Sequence, residues 1–142
     1  MAVAALISWV LTAGGGLFML GTWIAKGGVR EPRSTHLPPA VIFGHFGLAA
    51  AGLVLWIVHL VAGGATLAWI AFVLLLPVAA LGFVMLLRWI PTYRGAAVTA
   101  GGGGTAASAP PERSFPVAVV GAHGVLAVVT LVLVLLSALA AA

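Results

Sequence analysis

Cysteine is absent from this 142-residue chain, and its acids are reduced to Glu31 and Glu112. The first absence excludes disulfides, thiolate metal sites and cysteine nucleophiles. The second leaves no carboxylate pair suited to hydrolysis: each glutamate stands beside an arginine, Arg30 and Arg113, whose charge it balances. No serine motif with a buried acid appears either. Charge of any sign is scarce, at 6% of residues, while 63% are apolar. A soluble domain carries about 25% charged and roughly 45–50% apolar residues, and a chain this short exposes much of its area. The expected solvent is lipid.

At about 20 apolar residues per crossing, the apolar runs predict an all-α integral membrane protein, one transmembrane domain with spans near 3–25, 38–62, 65–90 and 115–140. Nothing before Lys26 is charged, so the first run lacks the basic start of a cleavable signal and reads as a retained span. Pro38 and Pro39 suit a first helical turn, where a missing N–H costs little. Gly63 and Gly64 mark a tight uncharged turn, and Pro77 is expected to kink the third span. The connection at 95–114, rich in Gly, Ala, Ser and Pro, reads as a flexible linker. It lacks the GK[ST] ending and preceding strand of a phosphate loop.

All six basic residues, Lys26, Arg30, Arg33, Arg88, Arg94 and Arg113, fall in or beside the first and third connections. By the positive-inside rule those connections are cytoplasmic, with both termini outside the cell membrane. The net charge of +4 is thereby read as topology, and nucleic acid is not an expected partner. Trp23 and Trp89 are expected near the inner interface, and Trp9, Trp56 and Trp69 toward the outer one, as two aromatic belts.

The chain also repeats itself. Residues 38–58 align without gaps to 116–136 with nine of 21 positions identical, including Pro38/Pro116 and His45/His123. Residues 17–24 and 83–90 share Met, Leu, Trp and Ile. The expectation is two copies of a helical hairpin, related by a pseudo-two-fold along the membrane normal. His45 and His123 should then lie at one depth. At helical spacing His45, Ala49, Gly52, Trp56 and His59 form one stripe, and His123, Ala127, Thr130, Val134 and Ser137 form its counterpart. Ser8, Thr12, Gly15, Met19 and Thr22 form a third. In lipid such stripes turn inward, so these three helices are expected to line one interior.

Two imidazoles facing each other suit six-coordinate haem iron. Small residues beside a flat macrocycle are supplied by Gly44, Gly47, Ala49, Gly52, Gly121, Ala122, Gly124 and Ala127. In these histidines and their small neighbours the chain resembles four-helix b-type cytochromes, in which histidines on two helices clamp a haem inside the bundle. The resemblance implies haem b with His45 and His123 as axial metal ligands, beside Gly52 and Thr130, and a role in electron transfer. It also contains a departure. Dihaem cytochromes b carry a second histidine about four turns along each ligand helix, but the counterpart of His59 is Ser137. One haem is the most that this pattern implies. Two aligned histidines fall short of the three or four ligands usual for zinc. Other readings of the same residues stay open. Small residues can mark close helix packing, and the histidines can share a hydrogen bond. A repeat with a polar stripe also suits a proton, ion or solute transporter acting as a homo-oligomer. A non-catalytic accessory subunit of a larger membrane complex is a third class. His36 is expected to be exposed, and His59 to be an interfacial side chain.

Overall fold

A chain segment in hydrocarbon must satisfy its backbone hydrogen bonds internally, and each apolar run does so as a helix. The computed structural model describes residues 1–31, 34–99 and 109–141. Helix α1 spans Ala2–Ala25, α2 Pro39–Ala62, α3 Ala65–Thr99 and α4 Val117–Ala141. All four are long and apolar enough to cross a membrane, the mark of a multi-pass membrane protein. Their starts follow local chemistry. Pro38 caps α2 in an extended conformation and Pro39 occupies its first turn. Gly63 and Gly64 take φ of 75° and 94°, which lets α2 reverse directly into α3.

The third and fourth elements depart from expectation. Helix α3 contains both Pro77 and Pro91 and runs on past Ile90 to Thr99. A proline removes one hydrogen bond, and at position 91 the helix continues across the gap. The 95–114 connection, expected as a plain linker, is therefore helical at its start, and Pro111–Ser114 form a 3₁₀ turn at its end. Its glycine-rich middle, 100–108, lies outside the described residues.

Helix α2 packs most extensively on α3, and α1 on α4; α3 also touches α4, and α1 touches α2. Among the described residues the backbones of neither diagonal pair, α1/α3 or α2/α4, approach each other closely. The helices thus follow one another around a square in chain order. Two clusters fill its ends. Trp9, Trp56, Ala5, Ala71 and Val134 are buried together at the end holding the α2–α3 turn. Trp23, Trp89, Leu37, Ile42 and Phe115 are buried at the end where the charged connections lie.

Tryptophan groups by end as expected but does not form lipid-facing belts. Trp23 and Trp56 are fully buried, and Trp9 and Trp89 nearly so, inside the protein. A buried indole N–H needs an acceptor, and three of these four find one on a neighbouring segment. Trp56 Nε1 donates to the Ala2 carbonyl at 3.3 Å, Trp23 Nε1 to Thr35 Oγ1 at 3.1 Å and Trp89 Nε1 to the Glu112 carbonyl at 3.0 Å. The Trp23 indole lies flat against Gly28, where any side chain would overlap it.

Candidate functional site

Between the two end clusters the interior holds His45 and His123. They come from diagonally opposed helices, and their ring centroids are 6.3 Å apart with planes tilted by 54°. Each ring is tied to a third or fourth helix. His45 Nδ1 donates to the Val78 carbonyl on α3 at 2.9 Å, and His123 Nδ1 donates to the Thr12 carbonyl on α1 at 2.9 Å. A carbonyl can only accept, so in each neutral imidazole Nδ1 carries the proton and Nε2 keeps its lone pair.

Glycine makes this approach feasible. A Cβ at Gly82 would stand 3.3 Å from His45 Cε1, and one at Gly16 would stand 3.1 Å from His123 Cε1. Gly15 flanks His123 as well, at 3.6 Å from its Cβ. The glycines that matter are thus on α1 and α3. Of the small residues expected to make room, Gly47, Gly121, Ala122 and Gly124 are exposed on the outer surface of α2 and α4, and a Cβ on any of these three glycines would meet nothing within 4 Å.

Gly52 and Thr130 stand two helical turns from the histidines, and both are buried against α1. The rim of the Trp9 indole fills the space a Gly52 side chain would take, 3.1 Å from the Cβ position. Thr130 Oγ1 is 2.8 Å from Ser8 Oγ, which also donates to the Leu126 carbonyl at 3.2 Å. Thr12 Oγ1 donates to the Ser8 carbonyl at 2.8 Å and lies 3.4 Å from Thr130 Oγ1. The polar stripes therefore do meet inside the bundle. Helix α3 completes the lining with Ala68, Ala71, Leu75 and Val78, buried residues without a polar group to announce them.

The other two histidines are placed apart. His59 lies against Trp56 with ring centroids at 4.9 Å and planes tilted by 41°, and it donates from Nδ1 to the Gly64 carbonyl at 3.0 Å, securing the turn. Ser137, at the corresponding position of α4, donates to the Leu133 carbonyl at 2.7 Å. His36 is largely exposed, yet it joins a network around Glu112, the one fully buried carboxylate among the described residues. Glu112 accepts from Thr35 Oγ1 at 2.8 Å, from the His36 backbone N–H at 2.7 Å and from His36 Nδ1 at 3.1 Å. That network locks the first connection onto the third.

Among the described residues no third His, Cys, Asp or Glu joins His45 and His123 in a cluster that could hold a bare metal ion. Comparison with known proteins returned no match, whether to a family model, a curated protein or a solved structure. The class stated by the fold, a four-helix multi-pass membrane protein with a paired-histidine interior, is thus the identification the molecule itself supports.

Proposed function

We propose that this chain is a small membrane cytochrome that holds one haem b between His45 and His123 and serves electron transfer. The observation that carries the reading is the matched imidazole pair. Two imidazoles on opposite faces of one metal ion have ring centres about 6 Å apart, from metal–nitrogen bonds of about 2 Å and a ring half-width of about 1 Å. The pair here is spaced at 6.3 Å. Metal-binding histidines characteristically donate their other ring N–H to a carbonyl or carboxylate, which fixes tautomer and orientation. Both Nδ1 atoms do so. Two ligands are too few for a zinc site built by protein alone, but a porphyrin brings its own equatorial nitrogens and asks for two more. When bound, such a group supplies one-electron chemistry tuned by its axial ligands. The chain's own part would be to leave the Nε2 lone pair of each histidine available to the metal and to exclude lipid and water. Trp9 against Gly52, and Ser8 against Thr130, close the site on the side away from the charged connections.

The reading includes a pseudo-two-fold along the membrane normal, relating hairpin α1–α2 to α3–α4. An offset of 66 residues aligns 17–24 with 83–90 and carries Thr12 onto Val78 and Gly16 onto Gly82. An offset of 78 carries His45 onto His123. Each histidine's carbonyl acceptor and glycine neighbour are thus mapped onto those of the other, which is independent support for the repeat. The reading further takes the charged connections as cytoplasmic and both termini as extracytoplasmic in the cell membrane.

The test is an absorption spectrum of protein expressed with haem precursor and purified in detergent. Reduction with dithionite should give sharp low-spin α and β bands. His45→Ala and His123→Ala should each abolish or strongly alter them, and His59→Ala should leave them unchanged. Folded protein with no Soret band would overturn the cytochrome reading in favour of an accessory-subunit or transport role.

A further inference from the structure

The charged end of the bundle holds an open cleft of about 920 Å³ between the start of α2, the end of α3 and the 3₁₀ turn. We propose that this cleft binds the phosphate headgroup of an anionic phospholipid, with Arg88 and Arg113 facing the phosphate. The inference does not rest on the haem. It uses the side assignment only to name the leaflet as the cytoplasmic one.

Depth is the first argument. Residues 65–87 of α3 contain no charge. At 1.5 Å per residue they span roughly 34 Å, matching a hydrocarbon core of about 30 Å. Arg88, the first charged residue beyond, therefore stands at headgroup level. The helix then continues to Thr99. Arg88, Thr92 and Gly95 recur at one-turn spacing on the face that walls the cleft.

Chemistry is the second argument. Among the described residues, arginine and histidine line the cleft and no carboxylate does. Basic pockets between membrane helices on the cytoplasmic side select anionic headgroups in this way.

Continuity with lipid is the third argument, and it separates a phospholipid from a soluble phosphate. Leu87 lines the cleft and is 65% exposed, and Phe83 and Val84 carry the exposed apolar surface of α3 onward from it. A headgroup seated between the arginines leaves its acyl chains on that surface. A hydrated phosphate ion has no use for it.

The experiment measures binding of phosphatidylglycerol and phosphatidylcholine of identical chains to the purified full chain in detergent, by native mass spectrometry and by thermal stabilisation. Phosphatidylglycerol should bind preferentially and raise the melting temperature. Arg88→Gln and Arg113→Gln should each weaken it about fivefold, the effect of one basic residue near an anionic lipid. Arg94→Gln, on the same helix but outside the cleft, should leave binding unchanged. Arg88 also donates to the His36 carbonyl at 3.3 Å, so Arg113→Gln provides the second variant if the first loosens the connection. Equal binding of both lipids, equal loss in Arg94→Gln, or displacement of phosphatidylglycerol by millimolar orthophosphate would each overturn the proposal.

Discussion

Glycine at positions 16 and 82 is what lets an imidazole reach a backbone carbonyl on the neighbouring helix. The Cβ positions at 3.1 and 3.3 Å from the histidine rings are tighter than ordinary contact, so a methyl group already forces a small shift and a branched side chain a large one. Gly16→Val and Gly82→Val should each destabilise the folded protein by about 1–3 kcal/mol. Gly121→Ala, on an open surface, should be neutral within about 0.5 kcal/mol. Denaturant unfolding in detergent micelles measures the contrast, and equal stability of Gly16→Val and Gly121→Ala would show that the close approach is unimportant. The histidines themselves were legible in the sequence, because a titratable group in an apolar run stands out. Their partners were not. Backbone carbonyls at Thr12 and Val78 carry no side-chain signature, and a glycine that faces an imidazole looks the same in sequence as Gly121, which faces outward. Glu112 was misjudged for a related reason: adjacency to Arg113 suggested simple charge balance, but its acceptors serve Thr35 and His36, distant in sequence.

Among the elements, one histidine joins each closely packed pair, α1 to α4 and α2 to α3, and hydroxyls join α1 to α4 in addition. A hydroxyl pair in a membrane is weaker than its setting suggests, since each member finds other acceptors when its partner is removed. Here Ser8 already reaches the Leu126 carbonyl, and Thr12 the Ser8 carbonyl. A double-mutant cycle of Ser8→Ala and Thr130→Val should therefore give a coupling near 0.6 kcal/mol and below about 1.7 kcal/mol. A larger coupling would mean that these hydroxyls act beyond holding α1 to α4. Helix limits were legible to within a few residues, because lipid demands an uninterrupted apolar run with closed hydrogen bonds. The end of α3 was not. Pro91 and Gly95 look like stop signals, yet the helix runs through both and on to Thr99. The interior stripe of α3 was missed as well, since Ala68, Ala71 and Leu75 differ in no visible way from lipid-facing residues.

For the whole molecule, the path of the chain around a square makes its two ends chemically unlike. The end with the α2–α3 turn carries no charged side chain, whereas Lys26, Arg30, Arg88, Arg94 and Arg113 belong to the other. Diagonal placement of α2 and α4 is also the arrangement that lets two hairpins bring equivalent histidines together, as the proposed repeat requires. A four-helix path of this kind returns the C-terminus to the side on which the N-terminus starts. Moving a single Lys or Arg across the bilayer centre is unfavourable by about 2.5–3.5 kcal/mol on insertion scales, so the basic end has one strongly preferred side. The prediction follows from these facts together. Reporter fusions at residue 64 and after residue 142 should be active only outside the cytoplasm, and a fusion within 100–108 only inside it. Replacing Arg88, Arg94 and Arg113 with Gln while adding lysines beside Gly63 should weaken or reverse that pattern, because the bias between short connections sets orientation. A cytoplasmic reporter after residue 142 in the unaltered chain would contradict an even number of crossings with both termini outside. It would also remove the cytoplasmic-leaflet assignment of the arginine-lined cleft, while leaving the geometry of the histidine pair and its spectral test untouched.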